Sequence, residues 1–325
     1  MFITPSWGLL SVLSKVVIYI GAASALGGSY CLYNYSDGKH ASLQKVLILH
    51  LVGALLGLQA VAIDFLAQVG TANNSGLAGA FDPEMASLLF GTQIGDLSLF
   101  RAFGFAILIG SGVFFYQASL QQGQTPSRRF YQRFFALNTV GFTFLLFSFR
   151  FGGHVSVHSM PVQLALVVHF SMYALWIGSL YPLLVISRTE RVAELKASLE
   201  RFSKHAILIV SLLLISGLTL MLSLIHSITE LFTTTYGLAL LFKLLLVFGL
   251  LGIAALNKFS IVPKLLLQTD VAKFQRSLQI EIAVAAVLLL MTACLSTVFG
   301  PAMHGDGWLA YNPAFELDEN KYCSF

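Results

Sequence analysis

Eight uninterrupted apolar runs constrain what this chain can fold into: residues 9–33, 46–69, 98–119, 131–151, 162–186, 204–226, 236–259 and 278–299. A hydrocarbon layer of ~30 Å is crossed by roughly 20 apolar residues in a helix, and every run reaches that length. Inside lipid each backbone N–H and C=O must find its partner within the protein, which leaves helices or closed barrels. A barrel would be written as short segments of alternating polarity, whereas these runs are continuous. The expectation is an all-α integral membrane protein with eight transmembrane helices. Only 10% of the 325 residues are charged, too few for a soluble domain of this size, and the links are too short to hold one. The first run lacks a basic segment before it and a clear cleavage site, so it is expected to be a retained helix rather than a signal peptide.

The links alternate in charge. Lys39 and Lys45 follow the first run; Arg128, Arg129 and Arg133 follow the third; Arg188, Arg191, Lys196, Arg201 and Lys204 follow the fifth; Lys258, Lys264, Lys273 and Arg276 follow the seventh. These are 14 of the 19 Lys and Arg residues, all on one side. The other side carries Asp82, Glu84, Asp96 and Glu230, and then Asp306, Glu316, Asp318 and Glu319 in the tail. The positive-inside rule puts the basic links in the cytoplasm and both termini outside it, in the periplasm of a bacterial cell. The net charge of +4 comes from these links and points to no nucleic-acid partner. Cys31, Cys294 and Cys323 form neither a CxxC nor a disulfide framework.

This orientation sorts the histidines. His154, His158, His226 and His304 fall at or beyond the outer ends of helices, and His169 lies about 10 Å into the fifth helix at ~1.5 Å per residue. His40, His50 and His205 fall towards the cytoplasm. The stretch GGHVSVHSM, residues 152–160, places His154, His158 and Met160 in the gap between the fourth and fifth runs, with His169 and Met172 inside the next helix. Imidazole and thioether together favour copper over hard cations. Met172, one turn from His169, is expected to be packing rather than a ligand.

The sequence echoes itself. LFGTQIGDLSLFR at 89–101 and LFTTTYGLALLFK at 231–243 share Leu, Phe, Thr, Gly, Leu and Phe in register, and Arg101 pairs with Lys243. A second echo joins FGGHVSVH at 151–158 to FGPAMHGD at 299–306. The chain therefore reads as two four-helix units of the same orientation, 1–160 and 161–325, a kind of repeat found in transporters with the substrate site between the repeats. The second echo adds Met303 and His304 to the outer cluster, so the candidate metal ligands are His154, His158, Met160, His169, Met303 and His304.

HFSMYALWIGSLYPL at 169–183, RFSKHAILIVSLLLISGL at 201–218, TTTYGLALLFKLLLVFGLLGIAALNKF at 233–259 and RSLQIEIAVAAVLLLMTACLSTVFGP at 276–301 together resemble the CopD family of bacterial copper-resistance inner-membrane proteins. The likeness is densest from about 165 to 301 and extends more weakly to 82–101 and 151–154. It implies copper movement, as Cu(I) or Cu(II), across the inner membrane, often with a periplasmic copper-binding CopC-like partner. Some relatives carry that domain fused; these 325 residues hold none, so a separate partner is implied.

Three readings share the outer cluster. The first is a copper permease, not an enzyme: copper is captured outside and handed to His169 within the bundle. No Walker A motif is present, so the reading excludes ATP-driven pumping. The second is a haem-binding membrane redox protein of the b-cytochrome kind, which needs a second histidine at the depth of His169. The third is a non-transporting copper sensor or an anchor for a periplasmic chaperone. The remaining polar residues have structural expectations. Lys15, Asp64, Arg101, Arg150 and Lys243 read mostly as snorkelling anchors, with Asp64 paired to a basic residue and Lys243 paired or turned away from the pathway. Glu281 is expected to cap the last helix at the inner surface, the alternative being a late waystation for the ion. His50 is an exit site or a proton acceptor one turn into the second helix, and His205 an interface residue.

Overall fold

The computed structural model describes residues 5–35, 40–73, 76–121, 126–152, 159–225, 227–265 and 268–298. Eight of its helices are long and apolar enough to cross a membrane, and the described residues contain no strand. The long helices are α1 (Pro5–Tyr35), α2 (His40–Asn73), α4 (Gln93–Gln121), α5 (Arg128–Ser148), α6 (Met160–Thr189), α7 (Val192–Leu224), α9 (Thr235–Leu256) and α10 (Gln268–Thr297). Two short helices, α3 (Pro83–Phe90) and α8 (Glu230–Thr233), precede α4 and α9. Most long helices overrun their apolar runs: α2 begins at His40 rather than 46, and α10 at Gln268 rather than 278. Hydropathy marks only the part in hydrocarbon, while a helix continues through the headgroup layer wherever nothing stops it. Two expectations shift in consequence. His50 lies ten residues into α2 rather than one turn in, and Glu281 lies nearly halfway along α10, where it caps nothing.

The segment before α4 is built by Asp82. Its Oδ1 accepts the backbone N–H groups of Glu84 (2.9 Å) and Met85 (3.0 Å), its Oδ2 accepts the Asn73 amide (3.0 Å), and Pro83 follows at the first helical position. This is an N-cap tied to the end of the preceding span. Gly76, with φ of 73°, supplies the left-handed turn that brings the chain there. Leu77, Phe81, Leu88 and Phe90 stand exposed along this segment, as interfacial side chains do at the edge of a lipid layer.

The first sequence echo has a physical counterpart. In both copies a short helix ends, one threonine begins the next helix, and a glycine follows three residues later. Thr92 Oγ1 accepts the Ile94 N–H (3.2 Å), and Thr234 Oγ1 accepts the Gly237 N–H (2.9 Å). A Cβ on Gly95 would strike the backbone of Phe90, and one on Gly237 the backbone of Glu230 and Leu231. The shared glycine is therefore what lets each short helix fold against the long one it introduces. The second echo lies almost wholly outside the described residues.

α1 is the hub, packing on α2, α5, α6 and α10; α2 packs on α4, α4 on α5, α6 on α7 and α10, and α9 on α10. Small residues set the closest crossings. Gly27 of α1 meets Gly178 of α6, where Ser179 Oγ also donates to the Gly27 carbonyl (3.3 Å). Gly21 meets Gly53 between α1 and α2, and Gly104 meets Gly141 between α4 and α5. Around them Phe105, Leu108, Phe142, Leu145 and Phe170 form the main apolar core, while Leu43, Leu47, Phe115, Phe130 and Phe134 fill the α2–α4–α5 end away from α3.

Candidate metal centre

His169 sits nine residues into α6, roughly 14 Å along its axis from Met160 at 1.5 Å per residue. Its Nδ1 is 3.0 Å from the carbonyl oxygen of Leu213 on α7. A carbonyl can only accept, so Nδ1 carries the hydrogen and the neutral ring keeps its lone pair on Nε2. A ring N–H donated to a backbone carbonyl is the usual support of a metal-binding histidine, because it fixes the tautomer and the ring orientation. Ser216, whose Oγ lies 3.4 Å from Nδ1 while donating to the Leu212 carbonyl (2.6 Å), closes that side. Gly217 leaves room for the ring, since a Cβ there would press on His169 Cε1. Leu213, Ser216 and Gly217 thus share one face of α7 shaped to hold the imidazole.

The other predicted ligands divide. Met160 opens α6 and is exposed, a full two turns and more from His169. His154, His158, Met303 and His304 lie outside the described residues. Among the described residues no three His, Cys, Asp or Glu side chains come together. Met172 packs with Trp176, Ile209, Leu250 and Ala285, as expected of a core residue.

Lys243 of α9 is close enough for its charge to act on the His169 imidazole. A cation held at His169 would meet that repulsion, which favours brief occupancy over a closed, tight cage.

Arg101 and Asp64 correct an expectation. Both are buried, 3.4 Å apart, so neither snorkels to the interface. Ser11 Oγ donates to the second carboxylate oxygen (2.6 Å), and Lys15, one turn further along α1, donates to Thr297 Oγ1 (2.9 Å). The pair expected for Asp64 is present, and its partner is Arg101.

Towards the end away from α3 lies a polar contact that the apolar runs concealed. Asn257 Nδ2 donates to Glu281 Oε1 at 2.6 Å, both residues buried, where α9 passes into a π turn at Asn257–Ile261. Single π turns recur at functional positions in helices. An asparagine inside an apolar run was the available signal, since buried polar groups in a spanning helix are costly. Further on, His205 is exposed, with Nδ1 2.6 Å from the Tyr35 hydroxyl and 3.1 Å from that of Tyr30. Its ring is thus tied to α1 through both tyrosines.

Residues 196–295 match the family model CopD, copper resistance protein D. The matched CopD segment runs from the second turn of α7 nearly to the end of α10. It contains Leu213, Ser216 and Gly217, which hold His169, and it contains Lys243, Asn257 and Glu281. No curated protein and no solved structure matches the chain. The match covers under a third of the chain, and the eight long apolar helices make the whole a multi-pass membrane protein.

Proposed function

We propose that this protein carries copper across the bacterial inner membrane, inward, with His169 as the ligand inside the bundle. His154, His158, Met160, Met303 and His304 would serve as the capture ligands at the periplasmic mouth. The observation that carries the reading is the bond from His169 Nδ1–H to the Leu213 carbonyl, which leaves a fixed Nε2 lone pair within a span. One imidazole beside a repelling ammonium suits a transit site: it holds copper long enough to strip water and then releases it. Imidazole accepts either oxidation state, while the methionine thioethers of the mouth favour Cu(I). The protein acts as a carrier and not as a catalyst, as two four-helix units of like orientation, and a CopC-like periplasmic protein would deliver the ion.

Copper uptake into proteoliposomes tests this. The wild-type protein is expected to accumulate Cu(I) faster than empty vesicles, and His169→Ala to lose most of that flux while keeping its elution volume and helicity. Undiminished flux in His169→Ala would remove His169 from the path.

A further inference from the structure

A second histidine of the same kind lies, like His169 itself, outside the CopD segment. His50 on α2 is 1% exposed, and its Nε2 is 2.8 Å from the Leu108 carbonyl oxygen on α4. The carbonyl makes Nε2 the N–H donor, so the lone pair is on Nδ1. Nδ1 is buried and has no partner among the described residues. The arrangement mirrors His169 with the two ring nitrogens exchanged.

Two further polar side chains stand at the same level. Ser111 lies one turn from Leu108 on α4, is 1% exposed, and its Oγ has no partner among the described residues. Other buried serines of this chain, such as Ser29, Ser179 and Ser216, donate to a carbonyl one turn back; Ser111 does not. Asn138 on α5 is fully buried, and neither its Oδ1 nor its Nδ2 is partnered. The register of the antiparallel α4–α5 pair places them together: Leu108 meets Gly141 and Phe115 meets Phe134, so Ser111 falls opposite Asn138. His50 joins that level because Gly112 abuts its ring and Phe134, one turn before Asn138, packs edge-on against it at 5.3 Å.

Four buried polar atoms without partners would each cost ~1–3 kcal/mol in an apolar bundle. Leucine at 111 and 138 would avoid that cost, so the three side chains read as a site for a small polar guest. Its chemistry is narrow. There is no carboxylate in the set, which disfavours a hard divalent cation. The one strong donor is an imidazole lone pair, which suits copper. We infer that His50, Ser111 and Asn138 form a second copper site within the α2–α4–α5 layer. Copper is bound by His50 Nδ1 and carries a water ligand held by Asn138 Oδ1 and Ser111 Oγ. This rests on the copper-transport reading and extends it to the first half of the chain, well outside the CopD match.

The test is equilibrium titration of the full-length protein in nanodiscs with Cu(I), buffered by a chromophoric chelator. His50→Gln keeps an N–H for the Leu108 carbonyl and removes the imidazole; Asn138→Leu removes the second-layer oxygen and is nearly isosteric. Expected results are the loss of one copper equivalent in His50→Gln, at least several-fold weaker binding at that site in Asn138→Leu, and the loss of a different equivalent in His169→Ala. Retention of every equivalent by His50→Gln, while His169→Ala loses one, overturns this site alone and shows that the polar cluster holds only water. Failure of the wild-type protein to bind copper overturns both readings.

Discussion

Arg101 of α4 reaches Asp64 of α2 at 3.4 Å, with both side chains almost wholly out of solvent. The carboxylate is completed by Ser11 from α1, so three helices meet on one charged group. Removing one partner of a buried pair leaves the other uncompensated, typically at a cost of about 3–5 kcal/mol. Arg101→Met is therefore expected to lower thermal stability in detergent sharply. The double variant Asp64→Leu/Arg101→Met should recover most of the loss. Equal or additive losses in the double variant would show that the two charges do not support one another.

The crossing of α1 and α6 gives a packing prediction. A methyl group on Gly178 would fall on the Ala23 carbonyl and beside Gly27. Backbone cannot yield as a flexible side chain can, so overpacking here is expected to cost ~1–3 kcal/mol or more. Gly178→Ala should lower the unfolding temperature. Gly110→Ala, where open space surrounds the added carbon, should leave it nearly unchanged. The comparison is read by scanning fluorimetry on both variants side by side.

Asp82 gives a pH prediction outside the membrane spans. The N–H of Met85, the amide of Asn73 and the N–H of Glu84 all bind its carboxylate and hold its pKa below the usual aspartate range. A carboxylate depressed on folding adds stability above its unfolded pKa, and that contribution fades as pH falls through the folded value. Acidification is therefore expected to loosen the start of α3 below the ordinary aspartate range. Amide exchange at Glu84 and Met85 should accelerate there in the wild-type protein. In Asp82→Ala it should be fast at every pH.

These three contacts mark the limit of what periodicity reveals. The eight spans are legible because lipid demands about 20 apolar residues from each, and the chain obeys. Helix ends are not, because His40–Val46 and Gln268–Leu278 continue as helix through the interface with mixed composition. Asp64 announces a partner by its cost, yet only the fold selects Arg101 over Lys15. His169 stands out in an apolar run, but the carbonyl of Leu213, which sets its tautomer, comes from 44 residues away. Asn138 and Asn257 were visible as asparagines within apolar runs. Their neighbours Ser111 and Glu281 become meaningful only once α4 lies on α5 and α9 on α10.

Lys243 tests the transit character of the centre. Its charge bears on His169, so Lys243→Met removes a repulsion. Copper is expected to be retained several-fold longer at His169, with lower steady flux, because release becomes limiting. Stopped-flow chelator competition separates the two effects: slower copper release with unchanged capture supports the role. An unchanged release rate would show that the ammonium does not face the ion.

Glu281 separates a structural from an ionic role most directly. It accepts from Asn257 at 2.6 Å beside the π turn that ends α9. Glu281→Gln still offers an amide oxygen to Asn257, so stability should stay within about 1 kcal/mol of wild type. Glu281→Ala leaves the Asn257 amide without that acceptor and should cost ~1–3 kcal/mol. If the carboxylate also serves the moving ion, Glu281→Gln will keep its fold and lose copper flux, since the neutral amide offers copper a far weaker ligand. Full flux in Glu281→Gln, with destabilisation confined to Glu281→Ala, would make the residue a tie between α9 and α10 and nothing more.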